Sequence, residues 1–382
     1  MKTEKYTVKN TAGMFNLLKG IAMFIVIFGH TYTLFPDFLI NHAISETGRT
    51  RFADFSIGES TALLLYNISY CILMPSLYII SGYGSRKTSF KKNLSKQFKS
   101  LMIPYIITML LTSALHLCTH FCLYRYFPGS VKETLKVLAG SLLGLSKTTT
   151  FGDVTIFSNG PNWFLLSLFV GMIVFNTLVS YFDKAKLLIA VLLVSTAGWL
   201  LSLLYIVPWC LSQGLISVAY IYMGYYAKKN KLFTEGINTG KKAVCVILIV
   251  VSFMTIRIMG YVDSMAGSIY PLSMLSILLD GLFGVCFIYL FLFLNRFNGF
   301  ITSFIRNVGQ YSIYVLSVHT IEMLGFPLYH FTENWKGGPV AGTFLFWLLR
   351  SAVDISICFL FVKVKDLVLV KVSKNREANN DV

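Results

Sequence analysis

Long apolar runs separated by short charged segments dominate the 382-residue chain. A membrane-spanning helix needs about 20 apolar residues. Ten stretches approach that length: 17–36, 61–84, 101–122, 162–181, 187–206, 208–227, 243–261, 269–294, 308–327 and 341–362. The connections are short except at residues 37–60 and 123–161. Within the second, Val131, Leu135, Leu138 and Leu142 recur at helical spacing, which predicts an amphipathic helix lying at the outer surface. The pattern as a whole predicts an all-α fold. It is a polytopic transmembrane helical bundle of about ten spans, forming one integral-membrane domain over 1–382 with a short polar tail from about residue 371.

Composition excludes the soluble classes. Only 13% of residues are charged and 55% are hydrophobic, whereas a soluble domain carries about 25% charged residues. The net charge of +16 raises the question of nucleic acid, but no folded domain outside the spans is encoded to bind it. Topology accounts for most of the charge. With the N-terminus in the cytoplasm, 24 of the 33 Lys and Arg residues fall on the inner side and 7 on the outer. The positive-inside rule then predicts both termini cytoplasmic. The seven cysteines form no CxxC pair and lie mostly in apolar runs, so they read as buried free thiols.

Ionisable residues inside a bilayer are costly, so each is a candidate for function. Lys19 and His30 are 11 residues apart, which is close to three helical turns. Their side chains project from one face of the first span, about 16 Å apart. A cation at the mouth and an imidazole deeper along one wall can line a channel; a snorkelling lysine and a hydrogen-bonded bundle histidine fit the same spacing. His319 lies near the middle of the ninth span, and Glu322, three residues on, shares its face. A carboxylate there can fix the imidazole tautomer, or the two can join helices as a polar pair. Asp280 and Arg257 also lie at depth, available to pair with each other or with the histidines. Arg350 and Asp354, four apart, read as a local ion pair. Asn162 and Trp163 open the fourth span at its outer boundary. His116 and His120 are spaced to share a metal, but no third ligand is indicated, and no metal is expected. Phosphate-loop, GxSxG and HExxH motifs are absent.

Four stretches together resemble the acyltransferase-3 family of integral-membrane O-acyltransferases. The first is Asn16-Leu17-Leu18-Lys19-Gly20-Ile21-Ala22 followed by Val26-Ile27-Phe28-Gly29-His30. It is similar to the family's basic residue, ten intervening residues and histidine, with lysine where the family usually has arginine. The second is Tyr78-Ile79-Ile80-Ser81-Gly82-Tyr83, followed by a basic loop. There Lys96-Gln97-Phe98-Lys99 stands where the family often has Arg-x-x-Arg. The third runs from Asn162-Trp163-Phe164-Leu165 to Phe169, and the fourth from Gly309-Gln310-Tyr311-Ser312 to His319. Their order and spacing agree across nearly the whole chain.

The resemblance implies transfer of an acyl group, most often acetyl, from cytoplasmic acyl-CoA to a hydroxyl of a cell-envelope glycan or its lipid-linked precursor. Lys19, Lys96 and Lys99 would then hold the CoA phosphates. His30 would act as general base or accept the acyl group itself, and His319 with Glu322 would orient or relay the proton. Asn162, Trp163, Asp280 and Arg257 are expected on the acceptor side. The expected location is the plasma membrane. A glycan exporter or a sensor without chemistry would share the spans, but has no general reason to carry these motifs.

Overall fold

The computed structural model describes residues 12–35, 56–204, 207–234, 243–247, 264–333 and 335–380. Most of the span expected at 243–261, including Arg257, lies outside the described residues. The described chain is almost wholly helical, as the apolar runs require of a polypeptide in lipid, where every backbone polar group must bond internally. Among the described residues, six helical stretches are long and apolar enough to cross a membrane: Gly13–Tyr32, Phe90–Tyr124, Gly160–Tyr181, Lys184–Ser202, Met274–Leu294 and Pro339–Leu367.

The helices fall in this order. α1 is Asn16–Tyr32. α2 (Ile57–Asn67) and α3 (Leu73–Tyr83) are joined by a π-helical turn, Ile68–Ile72. α4 (Phe90–Gln97) and α5 (Ile103–Tyr124) are joined by a second, Phe98–Met102. α6 is Phe127–Leu143, and a small antiparallel hairpin follows, β1 (Thr149–Phe151) with β2 (Val154–Ile156), turning at Gly152 where φ is +56°. Then come α7 (Trp163–Tyr181), α8 (Lys184–Ser202), α9 (Leu211–Lys229) and α10 (Met274–Leu294). The expected span at 308–327 breaks at Tyr311 into α11 (Phe300–Gln310) and α12 (Ser312–Gly325). A short α13 (Tyr329–Thr332) precedes α14, Pro339–Asn380, which continues as helix through the stretch expected to be a polar tail.

The bundle closes through small residues. A Cβ on Gly20 would fall on the Ile305 carbonyl, and one on Gly309 would fall on the Asn16 carbonyl, so α1 and α11 cross backbone to backbone. Gly82 and Gly224 do the same for α3 and α9, against Ile221 and Ile79. Lipid gives no hydrophobic reward for pairing helices, so close packing of this kind carries the association. α6 illustrates the same physics with its sides reversed from a soluble helix. The expected helix forms, but Leu135 and Leu142 of its apolar stripe are exposed. Ser130, Thr134, Val137, Gly140 and Ser141 are the buried side. An apolar stripe turned to lipid and a small, polar stripe turned to protein is what membrane packing favours.

Candidate active site

On α1 the residues 19, 23, 26 and 30 form one stripe, and Met23 and Val26 are buried between the lysine and the histidine. Val26, Gly29 and His30 line a cavity of about 210 Å³. Ser69 from the first π turn and Met74 from α3 close one side; Trp163 and Gly160, at the start of α7, close another. Gly160 has a φ of +54°, which sets the turn that brings Trp163 to the wall. A π turn beside a polar cavity is a frequent mark of a functional site.

Behind His30 lies a buried polar network that joins three helices. The His30 and His319 rings are 5.5 Å apart between centroids. His319 Nδ1 bonds Asp354 Oδ2 at 3.0 Å, and Asp354 is fully buried. The carboxylate accepts, so this bond fixes the proton on Nδ1 and leaves Nε2 as the basic nitrogen. That Nε2 is buried with no hydrogen-bond partner among the described residues. Glu322 sits 3.4 Å from the same Nδ1, but both its oxygens take the Arg350 guanidinium, at 2.8 and 2.7 Å. Arg350 Nη1 also donates to Thr31 Oγ1 at 2.9 Å, next to His30 in sequence.

The pairings expected from sequence are therefore exchanged. His319 takes Asp354 on α14 as its main carboxylate rather than Glu322, and Arg350 pairs with Glu322 across the helices rather than with Asp354 on its own. The cross-helix arrangement wins because it gives the guanidinium a bidentate carboxylate and the imidazole a straight acceptor at once. His319, Glu322 and Asp354 present ligand atoms within 4.8 Å of one another, a spacing that suits a metal. Arg350 already supplies positive charge to that cluster and covers both oxygens of Glu322.

A second cavity, of about 330 Å³, lies at the start of α4 and is lined by Arg86, Lys92, Asn93, Lys96, Gln97 and Asn176. Lys228, just past the 208–227 span, donates to the Ser85 carbonyl at 3.4 Å and lies 5.9 Å from the Tyr83 ring centroid. Desolvation, then the neighbouring charges of Arg86 and Lys96, hold its ammonium below the usual lysine range. Tyr83 packs edge-on against Phe15, one turn from Lys19, with ring centroids 5.2 Å apart. Lys19 itself is half-buried and has no hydrogen-bond or ion-pair partner among the described residues. The cationic groups are thus gathered at the N-terminal end of α1 and the adjoining ends of α3, α4 and α9.

The remaining expected residues are placed less centrally. Lys99, in the π turn that begins at Phe98, is exposed and outside the basic cavity. Asn162 is buried and donates to the Tyr105 carbonyl at 3.3 Å, bracing α7 on α5 beside the cavity wall. Asp280 is buried on α10 and does not line the His30 cavity. Asp354 as the partner of His319, and Arg350 and Thr31 as partners of Glu322 and of each other, are not expected from the sequence. A signal existed in the matching of Arg350 and Asp354, four apart, with His319 and Glu322, three apart. Asn176 and Arg86 had no signal beyond a polar side chain and a basic stretch.

A helical membrane bundle that holds two neighbouring histidines in its interior, with a cationic pocket at one end, has fittings that suit an integral-membrane transferase. The chain belongs to the acyltransferase-3 family: the family model described as an acyltransferase domain matches residues 14–363, nearly its whole length. No curated protein and no solved structure matches it.

Proposed function

We propose that the protein is a plasma-membrane O-acyltransferase, most simply an O-acetyltransferase, with both termini cytoplasmic. It would move an acyl group from cytoplasmic acyl-CoA to a hydroxyl of a cell-envelope or exported glycan, or of its lipid-linked precursor. The observation that carries this reading is His30 at the cavity wall, backed by the His319–Asp354 pair.

In this mechanism the anionic end of the donor rests on Lys19, Lys96, Arg86 and Lys92. Phosphate groups suit several ammonium and guanidinium donors at once. The stripe from Lys19 to His30 is the length along which the pantetheine arm would reach the cavity. His30 removes the proton from the acceptor hydroxyl as its oxygen attacks the thioester carbonyl. The new C–O bond forms, the C–S bond breaks, and the proton passes from His30 to the leaving thiolate. Two carboxylic side chains, Glu322 and Asp354, face one guanidinium, Arg350, in the network behind His30. An excess of acidic groups there favours the imidazolium that forms in the transition state. Trp163 shapes the acceptor side.

The test is label transfer from radioactive acetyl-CoA in membranes containing the protein. Wild-type membranes are expected to label glycan, and His30→Ala membranes are not. A transporter would leave acetyl-CoA unconsumed, and full activity in His30→Ala would remove the proposed role of that residue.

A further inference from the structure

A third cavity, of about 370 Å³, opens between α5, α6 and the segment that joins α12 to α13. Its volume is in the range of small-ligand pockets, about 300–1,000 Å³. His116, His120 and Tyr124 lie at successive i, i+4 positions on α5 and present a ladder of rings along one wall. The ring centroids are 5.5 Å apart from His116 to His120 and 4.4 Å from His120 to Tyr124. Tyr329 adds a further ring, its hydroxyl 2.9 Å from that of Tyr124. This hydrogen bond, before burial, pushes the Tyr329 phenol up to about 12, so it stays a neutral donor.

The polar atoms are arranged to leave valences free. His116 Nδ1 bonds Thr134 Oγ1 at 2.9 Å and His120 Nδ1 bonds Ser130 Oγ at 3.0 Å, both hydroxyls on α6. Each ring is thereby held by one nitrogen, and its Nε2 has no partner among the described residues. Among the described residues the group whose ligand atoms lie close enough together for a metal is His319, Glu322 and Asp354, and these two imidazoles are not part of it. Glu133, whose Oε1 accepts from Lys136 at 2.7 Å, adds a carboxylate to the same cavity. Aromatic faces combined with spaced donors and acceptors match the chemistry of a sugar, which has apolar C–H faces and a rim of hydroxyls.

Position completes the argument. Met323 lines both this cavity and the His30 cavity, so one side chain separates them. Its neighbour Leu324 packs at 3.1 Å from the place a Cβ would take on Gly160, at the wall of the His30 cavity. The basic pocket and this cavity lie at opposite ends of the α4–α5 stretch: Lys96 and Tyr124 are 28 residues apart, roughly 42 Å at 1.5 Å per residue. That is about a whole bilayer, headgroups included.

We propose that this cavity is the saccharide subsite of the acceptor, holding a sugar ring against His120, Tyr124 and Tyr329 while the hydroxyl to be acylated reaches past Met323 to His30. The inference rests on the acyltransferase reading above. The test titrates membranes containing the full chain with glycan extracted from cells that lack the protein, at saturating labelled acetyl-CoA. Tyr124→Ala and His120→Ala are each expected to raise the half-saturating amount of glycan at least tenfold, with the plateau rate falling less than twofold. Tyr124→Phe, which keeps the ring, should stay within threefold of wild type. Unchanged half-saturation in both alanine variants would overturn the subsite, as would a lost plateau at unchanged half-saturation. No labelling by wild type would instead count against acyl transfer itself.

Discussion

Arg350 ties α12 to α1, since it binds Glu322 with two nitrogens and Thr31 with a third. Removing one member of a buried ion pair leaves the other charge stranded, at a cost of about 3–5 kcal/mol. Arg350→Met should therefore lower the thermal midpoint in detergent markedly, and adding Glu322→Leu should recover much of the loss. Asp354→Asn tests a different property. An amide there can turn either its oxygen or its NH2 to Nδ1, so it no longer holds the His319 proton on Nδ1 as the charged carboxylate does. Turnover is expected to fall about a hundredfold or more, with KM for acetyl-CoA unchanged; a loss confined to KM would contradict a positioning role for Asp354. The Lys19–His30 spacing was legible in the sequence because both residues lie on one helix with a fixed period. The partners of His319 were not, because choosing between Glu322 and Asp354 depends on the rotation of α14 against α12.

Two interruptions of regular helix shape the site. The π turn at Ile68–Ile72 carries Ser69 on the cavity wall, and the one at Phe98–Met102 carries Lys99, outside the basic cavity that Lys96 lines. Neither is visible as a break in hydropathy, so sequence placed Lys96 and Lys99 together. The amphipathic period of α6 was legible, but not which way it faces: period gives a stripe, and only the neighbours decide whether lipid or protein covers it. Glycine crossings are the complementary device at this scale. Gly224→Val should force α3 and α9 apart, because the added atoms meet the Ile79 carbonyl. Overpacking costs about 1–3 kcal/mol where side chains can shift; against backbone the loss should reach that range or exceed it. Thermal unfolding in detergent reads it directly.

Across the whole molecule, three cavities follow one another from the basic end to the aromatic end, with His30 between them. A donor held by its phosphates at the basic end makes a specific demand. Arg86→Gln with Lys96→Gln should raise KM for acetyl-CoA about tenfold and flatten its salt dependence, while KM for S-acetyl-pantetheine, which lacks the nucleotide phosphates, should not move. The low charged fraction made the membrane bundle legible at once, and the distribution of Lys and Arg is what the proposed orientation rests on. The meeting of the basic stretch of Arg86 and Lys96 with Asn176 around one pocket, and with Lys228 beside it at the Ser85 carbonyl, needed the helices to be assembled.

The central claim is that His30 carries acyl transfer in the interior of the bundle. The most direct measurement incubates membranes holding equal amounts of wild type, His30→Ala and His319→Ala with labelled acetyl-CoA and follows label into extracted glycan. Wild type is expected to give ester-linked label, released by mild alkali, His30→Ala none above background, and His319→Ala a strongly reduced rate. Equal labelling by wild type and His30→Ala would contradict it.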